Sequence, residues 1–307
     1  MSTALVTGAL GFLGRHIAAE LAAGGFRVIG LGREEPPADS RALGLAAYSQ
    51  VNLPSVELAT LLDAERPDLV VHAAGPASVG DSILTPVDDF SGTVGMLLGV
   101  LDSVRAVLPA ARVIALSSAA VYGNPKHLPV SEGNPIAPVS PYGYHKGIAE
   151  ALLEEFSSVY GIRTAAARIF SAYGPGLRRQ IMWDVCEKAR MDSEVLLSGT
   201  GSETRDFVHA ADVARAIGVI AEHAPMRAEA YNVGSGEETS IRVLAGALVE
   251  HVCPGKPVRF SGVQRPGDPK RWRADISAAS VMGYSPRMSL TDGVASYCAW
   301  YDTARRG

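Results

Sequence analysis

The run Ala4-Leu5-Val6-Thr7 leads directly into glycines at 8, 11 and 14, and a stretch with helical period follows without a break. A chain that leaves a strand through such a set must turn tightly. Backbone without Cβ atoms there lets an anion approach the free N–H groups that open the next helix. Strand, glycine turn and helix in that order are the opening of a dinucleotide-binding βα unit, with the pyrophosphate over Gly8, Gly11, Phe12, Leu13 and Gly14. The same three glycines would also serve a sharp turn that binds nothing, so the reading rests on their position.

The alternation continues along the chain. Short apolar runs at 4–7, 27–31, 69–73, 112–117 and 163–169 read as strands, and stretches near 11–23, 56–65, 86–107 and 141–160 read as helices. Strands with no charge inside are covered on both faces, which predicts an α/β fold, a doubly wound parallel Rossmann sheet. After Tyr173-Gly174-Pro175-Gly176 the regular pattern stops, and only 241–252 stands out as helical. Residues 1–172 are therefore assigned to a dinucleotide-binding domain, with a segment at about 205–235 returning to it as a helix start and a strand near 231–233. Residues 173–204 and 236–307 are assigned to a smaller mixed C-terminal lobe that binds substrate.

A length of 307 residues suits that division, and 47% apolar against 20% charged residues is ordinary globular usage. Lys and Arg number 28 and Asp and Glu 32, a net charge of −4 with no basic run, which excludes a nonspecific nucleic-acid binder. Cys186, Cys253 and Cys298 have no C-x-x-C spacing, and His72, His145 and His209 have no ligand partner at helical spacing. No metal site is expected, and the cysteines suit a reducing, cytoplasmic setting. The first 23 residues lack a basic leader and are broken by glycines, so neither a signal peptide nor a membrane span is expected. Trp183, Trp272 and Trp300 read as packing residues.

Two features speak to chemistry. At the end of the second strand, Val28-Ile29-Gly30-Leu31-Gly32-Arg33 has glycine where an acid usually accepts from the ribose hydroxyls, and a cation next. Arg33 is suited to a 2′-phosphate, which favours NADP(H) over NAD(H), while Glu34 or Glu35 would instead pair with Arg33 or meet a ribose. Further on, Tyr142 and Lys146 stand at i and i+4 and so share one helix face. A phenol with an ordinary pKa near 10 needs a neighbouring cation to exchange protons at neutral pH. Ser117 and Ser118 end the preceding predicted strand at the sheet edge where ligands bind, and a hydroxyl there can hold the oxygen that the tyrosine protonates.

With these residues in view the chain resembles the extended short-chain dehydrogenase/reductases that act on nucleotide sugars, the epimerase/dehydratase family. The resemblance covers nearly the whole chain. It is carried by Thr7 through Gly14, Val71-His72-Ala73-Ala74-Gly75, Ser117 through Gly123, Tyr142 with Lys146, Arg168-Ile169-Phe170 and Tyr173 through Gly176. Arg205 through His209, Tyr231-Asn232-Val233-Gly234 and Arg265-Pro266-Gly267-Asp268 extend it.

The resemblance implies that Ser118 and Tyr142 are catalytic and that Lys146 binds the nicotinamide ribose and lowers the tyrosine pKa. It implies cofactor contacts at Asn52, Leu53, Ala73, Ala74, Gly75 and Phe170, and a substrate diphosphate held by Arg205 and Arg265 with Ser171 nearby. Two positions depart from the family pattern, since Asp89 and Ser171 stand where asparagine is frequent. The Ala119-Ala120 pair replaces the Asp-Glu of 4,6-dehydratases and argues against that reaction. Two chemistries remain. Arg33 favours reduction of a 4-keto nucleoside-diphosphate hexose by NADPH, with Tyr142 as proton donor, whereas Ser117 through Gly123 with the following Asn124-Pro125-Lys126 is closer to the NAD-dependent 4-epimerases. A nucleotide-binding sensor without catalysis is the third reading, and a homodimer is implied.

Overall fold

The computed structural model describes residues 2–36, 39–263, 267 and 269–305. Its central feature is a sheet of seven parallel strands. These are β1 (Thr3–Thr7), β2 (Arg27–Gly32), β3 (Ala47–Gln50), β4 (Leu69–His72), β5 (Arg112–Ser118), β6 (Arg163–Ile169) and the strand Arg227–Val233. Their spatial order is β3-β2-β1-β4-β5-β6 followed by Arg227–Val233. The chain reverses direction across the sheet between β1 and β4, and the helices leaving these two strands lie on opposite faces. A crevice opens at the carboxyl ends of β1 and β4, where doubly wound sheets bind nucleotides.

Both faces of the sheet are buried, as largely apolar strands require, but β6 departs from the expected absence of charge at buried Arg168, which pairs with Glu150. One face packs Ala4, Val6, Val71 and Ile114 against the helices Phe12–Ala23 and Ala210–His223. The other packs Leu5, Ile29, Val70 and Val113 against Glu57–Glu65, Met96–Val107 and Pro141–Tyr160. The helical run Pro86–Val107 has 22 residues and holds an 18-residue window with a mean hydropathy of 1.3, long and apolar enough by composition to cross a membrane. Its Leu97, Val100, Leu101 and Val104 are nevertheless part of this core. A π turn at Ser91–Gly95 interrupts it where two glycines weaken the α-helical preference.

Arg227–Val233 pairs with β6 as the last strand of the sheet. Other elements escaped the sequence pattern. β3 is a four-residue edge strand with polar Ser49 and Gln50, and the helices Gln180–Met191 and Leu290–Ala304 pack with Ile241–Val252. These three helices enclose a second core of Leu177, Met182, Cys186, Leu244, Leu248, Tyr297 and Tyr301. Asp206 directly precedes Phe207 of this core and Val208 of the sheet core. Its buried carboxylate accepts from the Ser235 hydroxyl at 2.7 Å and the backbone N–H groups of Ser235 at 2.6 Å, Gly236 at 2.9 Å and Ala274 at 3.0 Å.

Candidate active site

The glycine turn brings β1 and β4 together. Gly8 has φ +64°, and a Cβ there would stand 2.8 Å from the Ala74 Cα, so glycine satisfies both the left-handed conformation and the contact. A Cβ at Gly14 would stand 2.0 Å from the Gly8 carbonyl oxygen. Thr7 Oγ1 accepts from the Ala74 N–H at 3.2 Å and lies 2.9 Å from His72 Nδ1. Burial, and then the charge of Lys146, pushes the His72 imidazole down to about 3, so the ring beside Thr7 is neutral.

Beyond this turn opens a cleft of about 450 Å³ lined by Gly8, Gly11, Gly32, Arg33, Asn52, Leu53 and the Ala73-Ala74-Gly75 turn. The first helix begins at Gly11 with no side chain capping its N–H groups. Uncapped donors at a helix N-terminus, above glycines whose Cβ atoms would fill the space, fit the pyrophosphate of a dinucleotide. Phe12 and Leu13 stand in the first helical turn with their side chains against the cores. At the other end of the cleft Arg33 is mostly exposed, with its Nε 3.6 Å from Glu34 Oε1.

The helix Pro141–Tyr160 begins where the sequence predicts. Ser140 Oγ accepts from the Gly143 N–H at 3.2 Å, and Pro141 occupies a position that needs no donor. That start brings Tyr142 and Lys146 beneath the end of β5. Lys146 is buried, its Nζ donates to the Leu116 carbonyl at 2.9 Å and stands 5.7 Å from the centre of the Tyr142 ring. Ser118 hydrogen bonds with the Tyr142 phenol and accepts from the Ala120 N–H at 3.2 Å. Burial pushes the phenol above its ordinary pKa; the Ser118 hydrogen bond opposes the rise, Asp89 adds to it and Arg179 opposes it. Burial lowers Lys146 to about 8, against the attraction of Asp89 and Glu150.

Two buried pairs brace this helix. Arg168 donates to both Glu150 oxygens, at 3.1 and 2.7 Å to Oε2 and 3.0 Å to Oε1, and to the Tyr122 hydroxyl at 2.8 Å; Tyr122 in turn donates to Asn232 at 2.7 Å. Asp89, the departure from the family asparagine, lies 2.6 Å from His145 Nδ1. Among the described residues its other oxygen has no hydrogen-bond partner.

The remaining expected site residues are dispersed. Phe170 is buried between Tyr122 and Trp272, outside the cleft lining. Ser171 opens the short strand Ser171–Tyr173, and Arg205 donates to the Thr204 carbonyl at 2.8 Å with its guanidinium 5.6 Å from the Trp272 ring. Arg265 lies outside the described residues. The cleft also takes in Asp81, Thr85, Asp88 and Arg179, which no motif marks. Asp81 is placed by a local signal, the Ser78 cap that accepts its N–H at 3.2 Å.

A doubly wound sheet with this glycine turn and a tyrosine and lysine at its carboxyl edge defines a nucleotide-dependent short-chain dehydrogenase/reductase fold. Residues 4–234 match the NAD dependent epimerase/dehydratase family, and the chain belongs to that family. It is 32% identical to UDP-glucose 4-epimerase of Mycolicibacterium smegmatis, over 95% of this chain and 96% of the relative. Among solved structures, UDP-glucose 4-epimerase of Thermotoga maritima with UDP-glucose superposes with TM-score 0.89 at 26% identity, over 99% of each chain. UDP-glucuronic acid 4-epimerase of Bacillus cereus, in complex with UDP-glucuronic acid and NAD, superposes with TM-score 0.88 at 26% identity, over 98% of this chain and 99% of that one. The chain is an NAD(P)-dependent enzyme of the extended short-chain type acting on nucleotide sugars.

Proposed function

We propose that the protein is a 4-epimerase of a UDP-linked sugar that uses retained NAD, and that residues 173–204 and 236–307 form the lobe that binds this substrate. The observation that carries the reading is the Ser118–Tyr142 hydrogen bond with Lys146 against the same ring, within electrostatic reach of Asp89 and Arg179, which line the dinucleotide cleft. The 4-epimerases among its relatives favour this over the NADPH-dependent 4-keto reduction that Arg33 suggested, and the NAD in the Bacillus cereus complex favours NAD over NADP.

Bound NAD would supply reversible hydride acceptance at the sugar. Tyr142 takes the proton of the 4-hydroxyl and returns it, and Ser118 holds the same oxygen. Lys146 supplies the positive charge that makes an otherwise raised phenol pKa usable, and binds the nicotinamide ribose. Ser171, Arg205 and Arg265 hold the diphosphate, and Arg179 adds a cation near Tyr142 that makes UDP-hexuronic acids part of the substrate panel. The exposed apolar side chains Val87, Leu98, Tyr144 and Ile148, on the helical run Pro86–Val107 and on Pro141–Tyr160, form the face of a homodimer.

Incubation with UDP-glucose, UDP-galactose and UDP-glucuronic acid tests the reading. The expected result is interconversion of 4-epimers with no net change in nicotinamide absorbance, lost by at least about a hundredfold in Tyr142→Phe. Stoichiometric oxidation of NADPH by a 4-keto sugar, with no epimer formed, would establish the reductase instead.

A further inference from the structure

The end of β2 lacks the acid that usually receives the adenosine ribose, yet the space above Gly32 is not open. A Cβ placed on Gly32 would stand 2.9 Å from Glu34 Oε2 and 2.8 Å from the Tyr48 hydroxyl. The Glu34 carboxylate therefore folds back over the strand end, into the place where a side chain at position 32 would begin. Gly32, Arg33 and Glu34 all line the cleft that the glycine turn opens.

The edge strand β3 holds this loop in position. The Tyr48 hydroxyl donates to the Glu34 carbonyl at 2.9 Å, and Gln50 Nε2 donates to the Arg33 carbonyl at 3.0 Å. Burial, and then the charge of Glu34, raises the Tyr48 phenol, so it stays protonated as a donor. The other Glu34 oxygen, Oε1, faces Arg33 at 3.6 Å.

We propose that Glu34 is the specificity-determining acceptor for the adenosine-ribose hydroxyls, standing in for the acid missing at Gly32, and that the same carboxylate opposes a 2′-phosphate at Arg33. The proposal rests on the NAD reading above and adds the residue that enforces it. A carboxylate accepts from both hydroxyls of a ribose diol and repels a phosphate in the same place. Arg33, which alone would favour NADP, is then a neighbour of that carboxylate and not a phosphate clamp.

Equilibrium titration of the cofactor-free full-length chain with NAD and with NADP, followed by calorimetry, tests this without turnover. The wild type is expected to bind NAD more tightly than NADP. In Glu34→Ala the NAD Kd is expected to rise at least tenfold while the NADP Kd falls, and adding Arg33→Ala to Glu34→Ala is expected to cancel the gain for NADP. A Glu34→Ala chain with an unchanged melting midpoint and both Kd values within twofold of wild type overturns the assignment. So does a wild type that prefers NADP. A chain that shows the expected switch but interconverts no UDP-sugar keeps the role of Glu34 and loses the epimerase reading.

Discussion

Replacing Lys146 with Met in the cofactor-free chain is expected to stabilise it at pH 7 while removing its activity. The lysine is 9% exposed, and burial lowers its pKa from 10.5 to about 8. At about 1.4 kcal/mol for each tenfold, that fall is a cost of about 3 kcal/mol for keeping the amine charged inside the fold. Below pH 8 both the folded and the unfolded chain carry the charge, so folding bears the whole cost. Between pH 8 and 10.5 the unfolded chain binds the extra proton, stability rises with pH, and the cost disappears near the upper end. Met fills a similar volume with no charge but leaves the Leu116 carbonyl without its donor, a loss of about 1 kcal/mol. The net gain is about 2 kcal/mol at pH 7 and close to zero by about pH 9.5. Urea unfolding at these two pH values measures it. A variant less stable than wild type by the same amount at both would refute the reasoning, because it would show that the ammonium holds the fold together instead of straining it.

Other substitutions probe separate parts of the architecture. Gly14→Ala puts a Cβ 2.0 Å from the Gly8 carbonyl, so the helix must move off the turn; a loss of about 1 to 3 kcal/mol in urea unfolding and at least tenfold weaker NAD binding by titration are expected. Asp206→Ala strands four donors around a buried carboxylate and is expected to cost at least about 3 kcal/mol, read from the shift in the urea midpoint. Leu98→Glu, at an exposed position on the apolar face, is expected to convert a dimer into a monomer in light scattering, an outcome excluded if the wild type is already monomeric.

The parts of the fold that were legible in the sequence are those where one local rule decides. Strands buried on both faces are mostly apolar, and β1, β2, β4, β5 and β6 announce themselves that way, although β6 also buries Arg168, which Glu150 neutralises. The helix at 141–160 has its serine cap, its proline and a closing Gly161 in the left-handed conformation, so both ends are written locally. β3 follows no such rule. Ala47-Tyr48-Ser49-Gln50 is stabilised by its parallel pairing with β2 and by what its side chains hold, not by a pattern of its own. The helix Gln180–Met191 is equally unmarked, because its mixed polar and apolar residues gain a buried face only once Ile241–Val252 and Leu290–Ala304 surround it.

The candidate site divides in the same way. Gly8, Gly11 and Gly14 and the Tyr142–Lys146 spacing carry local geometry and are legible as candidates in the residues themselves. The preference for NADP drawn from Arg33 was the step that local reading served worst, since a guanidinium at a strand end has no fixed role until its neighbours are known. The neighbour proposed to matter is Glu34, two residues beyond the vacant position, whose main-chain carbonyl is held by Tyr48 on the edge strand that the pattern did not reveal. On the NAD reading proposed above, an element too short to be seen in the sequence thus holds the loop whose carboxylate discriminates between the two cofactors, which is why Arg33 read alone pointed to the other one.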